Sequence, residues 1–195
     1  TRIIGGAAGG RRLRTPRGSS TRPTSDRVRE ALFSSLESLL GTLSGLRFLD
    51  VFAGSGAVGL EAASRGAGLV VLVEQDRTAA RLISANADAT GLAVRVLNLN
   101  AERLGGGAID PAAPFDVVFL DPPYAMAGRD LHVLIADLQA ADWFAPDAVV
   151  VVERDRRDAV WEWPAAVTPL RSARYGETML WYGRVHPAPA DADVP

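Results

Sequence analysis

Leu69-Val70-Val71-Leu72-Val73 is an uninterrupted apolar run, and it is one of several such runs separated by segments with helical periodicity. A strand with one face in water alternates apolar and polar residues, so a strand without alternation has to be covered on both faces. Leu69–Glu74, Phe115–Leu120 and Ala148–Val152 have this character, and shorter strands are expected at Arg47–Val51 and Val94–Leu97. Val58–Arg65, Asp76–Ala89 and Leu131–Gln139 read as the intervening helices, with Ala80, Ile83 and Ala87 on one side of the second. The pattern specifies an α/β protein: a mostly parallel sheet with helices on both faces. The end of the chain changes character. Val167–Arg174 and Thr178–Tyr182 flank Tyr175-Gly176-Glu177, the pattern of a hairpin closing a sheet edge.

Ahead of this alternation lies a different segment. Pro23-Thr24-Ser25-Asp26 starts a helix with a hydroxyl cap and an acid where the helix dipole favours one. Val28, Ala31, Leu32, Leu36, Leu39 and Leu40 then recur at helical spacing until Gly41, with Arg27, Arg29 and Glu30 on other faces. Residues 1–22 read as a hairpin or extended arm, holding Ile3, Ile4 and Leu13 around the turn-rich Gly5–Gly10. Charge is concentrated here. The first 29 residues carry eight arginines against one acid, Asp26, a net of +7 in a chain whose total is −2. A basic arm on an acidic body points to a polyanionic partner, and Arg2, Arg11, Arg12, Arg14, Arg22 and Arg29 are the candidate phosphate contacts.

Composition removes several classes. There is no Cys, which excludes disulfides, zinc–thiolate sites and thiol catalysis and suits a cytoplasmic protein. No apolar run approaches the roughly 20 residues that span a bilayer, and no leader pattern follows Arg2. The first residue is Thr, so further residues are expected upstream of Thr1.

Gly54, Gly56 and Gly59 match G-x-G-x-x-G between a strand and a helix, and Glu74 follows Gly54 by twenty residues at the end of the next strand. That spacing suits an adenosine-containing ligand: the glycines admit a close approach to the backbone, and the carboxylate accepts from the ribose hydroxyls. Asp50, just before the loop, separates two candidates. A carboxylate is repelled by the pyrophosphate of NAD and attracted by the ammonium and sulfonium of S-adenosylmethionine. Asn98 and Asn100 follow the third strand, near the adenine edge in such an architecture, with Asn100 and Ala101 favoured.

Asp121-Pro122-Pro123-Tyr124 follows the strand Phe115–Leu120. An exocyclic amine on a nucleobase is a poor nucleophile because its lone pair is delocalised. An enzyme that methylates it must hold the nitrogen in line with the methyl carbon and offer acceptors that draw the amine towards tetrahedral geometry. Asp121 supplies a carboxylate. The two prolines lack N–H groups and stiffen the turn, leaving the Pro122 carbonyl as a second acceptor. Tyr124 supplies a stacking face for a base turned out of its helix. Asp121, Pro122 and Tyr124 are therefore the candidate catalytic residues.

Arg2-Ile3-Ile4-Gly5-Gly6, Arg22-Pro23-Thr24-Ser25-Asp26-Arg27-Val28-Arg29-Glu30, Leu49-Asp50-Val51-Phe52-Ala53-Gly54-Ser55-Gly56, Asp121-Pro122-Pro123-Tyr124 and Tyr175-Gly176-Glu177-Thr178 together resemble the bacterial methyltransferases that modify the N2 amine of guanine 966 of 16S ribosomal RNA. The resemblance covers about residues 2–183. The glycine loop is common to many methyltransferases; the Arg-Pro-Thr-x-Asp-Arg-Val-Arg-Glu segment joined to Asp-Pro-Pro-Tyr is far more specific. It implies a Rossmann-like class I methyltransferase fold with a seven-stranded sheet, its last strand inserted antiparallel. It implies S-adenosylmethionine bound by Asp50, Phe52, Gly54, Ser55, Gly56, Glu74, Asn100, Ala101 and Asp121, without a metal. It further implies an arm that contacts ribosomal RNA, in a small-subunit particle carrying ribosomal proteins, and a monomeric enzyme. The domain organisation expected is a basic hairpin–helix extension over 1–44, a methyltransferase domain over 45–185 and a disordered tail over 186–195. Three rival readings remain: adenine-N6 methylation of DNA or RNA, which the same clamp would serve; an NAD-dependent oxidoreductase; and an RNA-binding module without catalysis.

Overall fold

The computed structural model describes residues 1–15, 25–106 and 114–186. Arg22, the Pro23-Thr24 part of the expected helix start and the tail from Pro187 lie outside the described residues. In chain order the elements are α1 (Asp26–Leu40), β1 (Arg47–Asp50), α2 (Ala57–Ser64), β2 (Leu69–Val73), α3 (Arg77–Thr90), β3 (Arg95–Leu97), a 3-10 turn at Ala101–Arg103, β4 (Phe115–Leu120), α4 (Gly128–Ala140), β5 (Phe144–Asp155), β6 (Val167–Tyr175) and β7 (Thr178–Val185).

All seven strands form one sheet in the order β3-β2-β1-β4-β5-β7-β6. The pairs from β3 through β5 are parallel, while β7 runs antiparallel between β5 and β6. This is the class I methyltransferase architecture, with the inserted antiparallel strand. The continuous apolar strands are explained by two separate cores. On one face Leu49, Val71, Val118 and Val150 pack with α4 through Leu131, Leu134, Ile135 and Leu138. On the other Phe48, Val70, Val117 and Val149 pack with Leu32, Phe33 and Leu36 of α1 and with Val58 and Ala62 of α2. Helix α1 is thus one of the layers that cover the sheet, and the packing has no break at residue 44.

The boundaries of α1 and α3 follow their capping residues. The Ser25 side chain accepts from the Val28 N–H at the start of α1, and Gly41, at φ 79°, closes its end. The Asp76 carboxylate accepts from the Ala79 N–H at the start of α3, and Gly91 ends it in the left-handed conformation. Strand β5 is longer than the apolar run Ala148–Val152. Its first residues are separated from that run by exposed Pro146 and Asp147, where the register against β4 shifts, and a bulge of this kind interrupts the sequence pattern without ending the strand.

The arm forms a minimal hairpin. Arg2 and Arg12 make an antiparallel bridge, and Ile3, Ala8 and Leu13 are buried against Ala57, Leu60 and Ala87. It is strapped to the end of α2: the Ile4 and Gly5 N–H groups donate to the Glu61 carboxylate at 2.7 and 2.8 Å, and the Ala7 N–H donates to the Ser64 carbonyl at 2.7 Å. Gly6 has φ 76°, and a Cβ there would lie 1.8 Å from the Ser64 oxygen, so only glycine permits this approach.

Arg29 corrects the expectation that it meets phosphate. Its side chain is fully buried. The guanidinium donates to the Arg2 carbonyl, to Thr1 Oγ1 at 2.9 Å and to Asp26 Oδ1 at 3.1 Å. The arm folds across α1 and takes this charge out of solvent, so Arg29 fastens the arm.

Candidate active site

In an open parallel sheet, ligands bind beyond the carboxyl ends of the strands, where the order of connection reverses. Here that point lies between β1 and β4. A cavity of about 590 Å³ opens there, within the range of small-molecule sites. Its wall includes Asp50, Phe52, Gly54, Ser55 and Glu74 on one side and Asp121, Pro122 and Tyr124 on the other. The two halves recognised separately in the sequence therefore share one space.

Asp50 ends β1 and is only 1% exposed. Its Oδ2 accepts from the Gly59 N–H at 3.0 Å, whereas Oδ1 has no hydrogen-bond partner among the described residues. Burial pushes its pKa up to about 7; the Gly59 N–H offsets part of this, and the charges of Glu74 and Glu153 add to the rise. A buried carboxylate oxygen without a donor is costly. A cationic ligand group in the cavity would relieve that cost, and the ammonium of S-adenosylmethionine has the required chemistry.

Glu74 follows β2 and holds the glycine loop. Its Oε2 accepts from the Gly54 N–H at 2.8 Å and its Oε1 from the Asp76 N–H at 2.7 Å. Each carboxylate oxygen keeps acceptor capacity towards the cavity, which suits a ribose diol. Gly56 has a different place: it does not line the cavity. It takes the left-handed conformation before α2, with Ile83 side-chain carbons 2.9–3.0 Å from the position a Cβ would occupy. Gly59 lets α2 approach β2, since a Cβ there would lie 2.5 Å from a methyl of Leu72.

Asn100 and Ala101 both line the cavity, and the Asn100 side chain caps the 3-10 turn by accepting from the Glu102 N–H at 3.1 Å. Asn98 turns away and donates to the carbonyls of Glu74 and Gln75.

At the end of β4 the Pro123 carbonyl accepts from the Met126 N–H at 2.9 Å, which closes the turn. Among the described residues no backbone N–H is bonded to the Pro122 carbonyl. Arg154 braces the turn from β5 by donating to the Met126 carbonyl at 3.2 Å, and is itself held by Asp158 at 2.8 Å. Tyr124 is 67% exposed at the rim of the cavity, a position suited to stacking.

The phosphate candidates Arg2, Arg11, Arg12 and Arg14 are exposed on the arm. Reciprocal bonds between the Arg14 backbone and the Asn86 side chain tie the arm to α3, and Thr15 reaches the cavity wall.

Comparison with known proteins agrees with this architecture. The family described as Conserved hypothetical protein 95 matches residues 1–184. The chain belongs to that family. It is 36% identical over 194 residues to Ribosomal RNA small subunit methyltransferase D of Escherichia coli K12, covering 98% of this chain and 94% of the relative. A solved hypothetical protein of Thermus thermophilus has 39% identity and a TM-score of 0.78, covering 96% of this chain and 99% of that one. The solved yhhF protein of Escherichia coli superimposes with a TM-score of 0.82 at 32% identity, covering 96% of this chain and 98% of that one.

Of the cavity residues that motif reading missed, two bear on the chemistry. Leu99 lies beside Asn100 on the wall and offers an apolar surface. Glu153 lies near the end of β5, 9% exposed, lining the cavity beside Asp121. Its signal was a single acid ending the run Ala148–Val152, the same feature that marks Asp50, Glu74 and Asp121 on their strands.

Proposed function

We propose that this protein methylates the N2 amine of a guanine in 16S ribosomal RNA, at the position customarily numbered 966, using S-adenosylmethionine. The observation that carries the reading is the single cavity bounded by Asp50 and Glu74 on one side and Asp121 to Tyr124 on the other. The name of the Escherichia coli relative supports ribosomal RNA of the small subunit as the substrate class.

When bound, S-adenosylmethionine supplies a methyl carbon activated by its sulfonium, and transfer exchanges the S–C bond for an N–C bond. The protein's task is to position and to stabilise charge. Asp50 takes the ammonium, Glu74 the ribose hydroxyls, and Asn100 with Ala101 the adenine edge. Phe52, Gly54 and Ser55 form the wall between them, while Gly56 shapes the turn. Asp121, with the Pro122 carbonyl, accepts hydrogen bonds from the target amine and favours its pyramidal form as positive charge develops. Tyr124 stacks on the flipped base. The methylated amine sheds its extra proton to water, so no side chain has to act as general base and no metal is required. The enzyme is read as a cytoplasmic monomer acting on RNA within a small-subunit particle that carries ribosomal proteins.

Labelled methyl transfer to unmodified 16S RNA and to assembled subunits, followed by nucleoside mass spectrometry, tests the reading. The expected product is N2-methylguanosine; N6-methyladenosine would support the adenine rival, and RNA binding without methyl incorporation the non-catalytic one. Calorimetry is expected to show binding of S-adenosylhomocysteine and none of NAD, because Asp50 disfavours a pyrophosphate.

The arm yields a separate prediction. Replacing Arg11, Arg12 and Arg14 together by Ala is expected to weaken RNA binding and to flatten its log–log salt dependence by about two to three, at roughly 0.7–0.9 per phosphate contact. Filter binding across a salt series measures this, and an unchanged slope would remove the arm from the interface.

A further inference from the structure

The register of β4 and β5 places a second carboxylate against the base clamp. Leu120 pairs with Val152, so the next residues, Asp121 just past the end of β4 and Glu153 within β5, stand side by side. Strand alternation fixes their direction. Leu120 and Val152 belong to the α4 side of the sheet, whereas Phe119 and Val151 belong to the α1 side. Asp121 and Glu153 therefore both follow the α1 side, as does Asp50 after Leu49. Glu153 is nine-tenths buried, on a rigid strand paired with Leu180 of β7, and the Thr178 hydroxyl lies 3.5 Å from its Oε1. This carboxylate is fixed in the cavity wall beside Asp121, where it can accept a hydrogen bond from a bound group.

Resting on the function proposed above, we infer that Glu153 determines base specificity by accepting the N1–H of the target guanine while Asp121 and the Pro122 carbonyl hold its N2 amine. Guanine presents N1–H and N2–H donors side by side on one edge, a pattern that adjacent carboxylates match. Adenine presents a lone pair at N1, which a carboxylate repels. Two roles follow from one contact. Glu153 excludes adenine, and its charge, close to N2, stabilises the positive charge that develops on that nitrogen as the new bond forms.

The test uses 2-aminopurine at the target position of the RNA. This base keeps the reacting amine but has a lone pair in place of N1–H and lacks O6, so the change of ratio in a Glu153 variant isolates the N1 contact. Wild-type enzyme is expected to methylate it with a kcat/KM lower than for guanine by roughly tenfold to a hundredfold. In Glu153→Gln the side-chain amide can donate to the bare N1, so the 2-aminopurine-to-guanine ratio is expected to rise by at least about tenfold, with S-adenosylhomocysteine still bound. A role confined to packing would lower both rates and leave the ratio alone. Nearly equal rates on both substrates in the wild type would overturn the inference without any variant, and an unchanged ratio in an active Glu153→Gln would do the same. Failure of the wild type on guanine RNA, or a different product nucleoside, would instead strike the proposed function.

Discussion

Asp121→Ala is expected to cut methyl transfer by roughly a hundredfold to a thousandfold, the usual cost of losing one polar group placed against developing charge. Affinity for S-adenosylhomocysteine should persist, because Asp50, the glycine loop and Glu74 hold that ligand from the other side of the cavity. The size of the effect follows from rigidity. Asp121 continues a strand whose last residue is paired to both the sheet and a packed core. Two prolines and the Arg154 brace keep the turn from shifting another group into the place of the lost carboxylate, and the Pro122 carbonyl alone remains. Asp121→Asn keeps one acceptor and removes the charge, so it should fall between the two. Single-turnover transfer of a labelled methyl group, with calorimetry of product binding as the control, measures both quantities. An alanine variant within tenfold of wild type would deny Asp121 its role.

The site was legible where local chemistry surrounded the functional group. Asp50 stands before a glycine loop, Glu74 at a telling distance from it, and Asp121 before two prolines. Glu153 ends an apolar run in the same way, but no turn motif follows it. Its meaning comes from lying beside Asp121, a neighbour set by strand pairing across more than thirty residues of chain. Arg29 failed for a related reason. A charged residue on the polar side of a helix is ordinarily solvated; here residues 1 and 2 fold back over it, and no local pattern announces that. The strands were readable because burial on both faces removes alternation, whereas their number and the antiparallel insertion came from family resemblance and their order from the structure. The first part of β5 was obscured by Pro146 and Asp147, whose exposure breaks the run.

Asp50 carries the second large prediction, because its environment couples ligand affinity to stability. In the folded protein without ligand its pKa is raised from 3.8 to about 7. The folded state therefore holds a proton that the unfolded chain releases near pH 4, and stability falls as pH rises from that point through 7, then levels off. The difference of about three units corresponds to something on the order of 4 kcal/mol between pH 4 and pH 8, an upper figure for a group with one backbone donor. Asp50→Asn should abolish this component, so the variant without ligand is expected to gain stability relative to wild type above pH 7 and not at pH 4. Ligand binding should run the other way. The ionised carboxylate is what attracts an ammonium, so wild-type affinity for S-adenosylhomocysteine should climb as pH rises through 7, with a proton released on binding below that pH. The Asn variant should show a flat profile and an affinity lower by about tenfold to a hundredfold at pH 8, as expected for a lost charge-assisted hydrogen bond. Thermal unfolding and calorimetry in buffers of different ionisation enthalpy separate the two effects. A variant that is both more stable at pH 8 and poorer at binding would show that the unpartnered Oδ1 is kept for the ligand. One that binds as wild type does, with the same pH profile, would assign the buried charge to the fold alone.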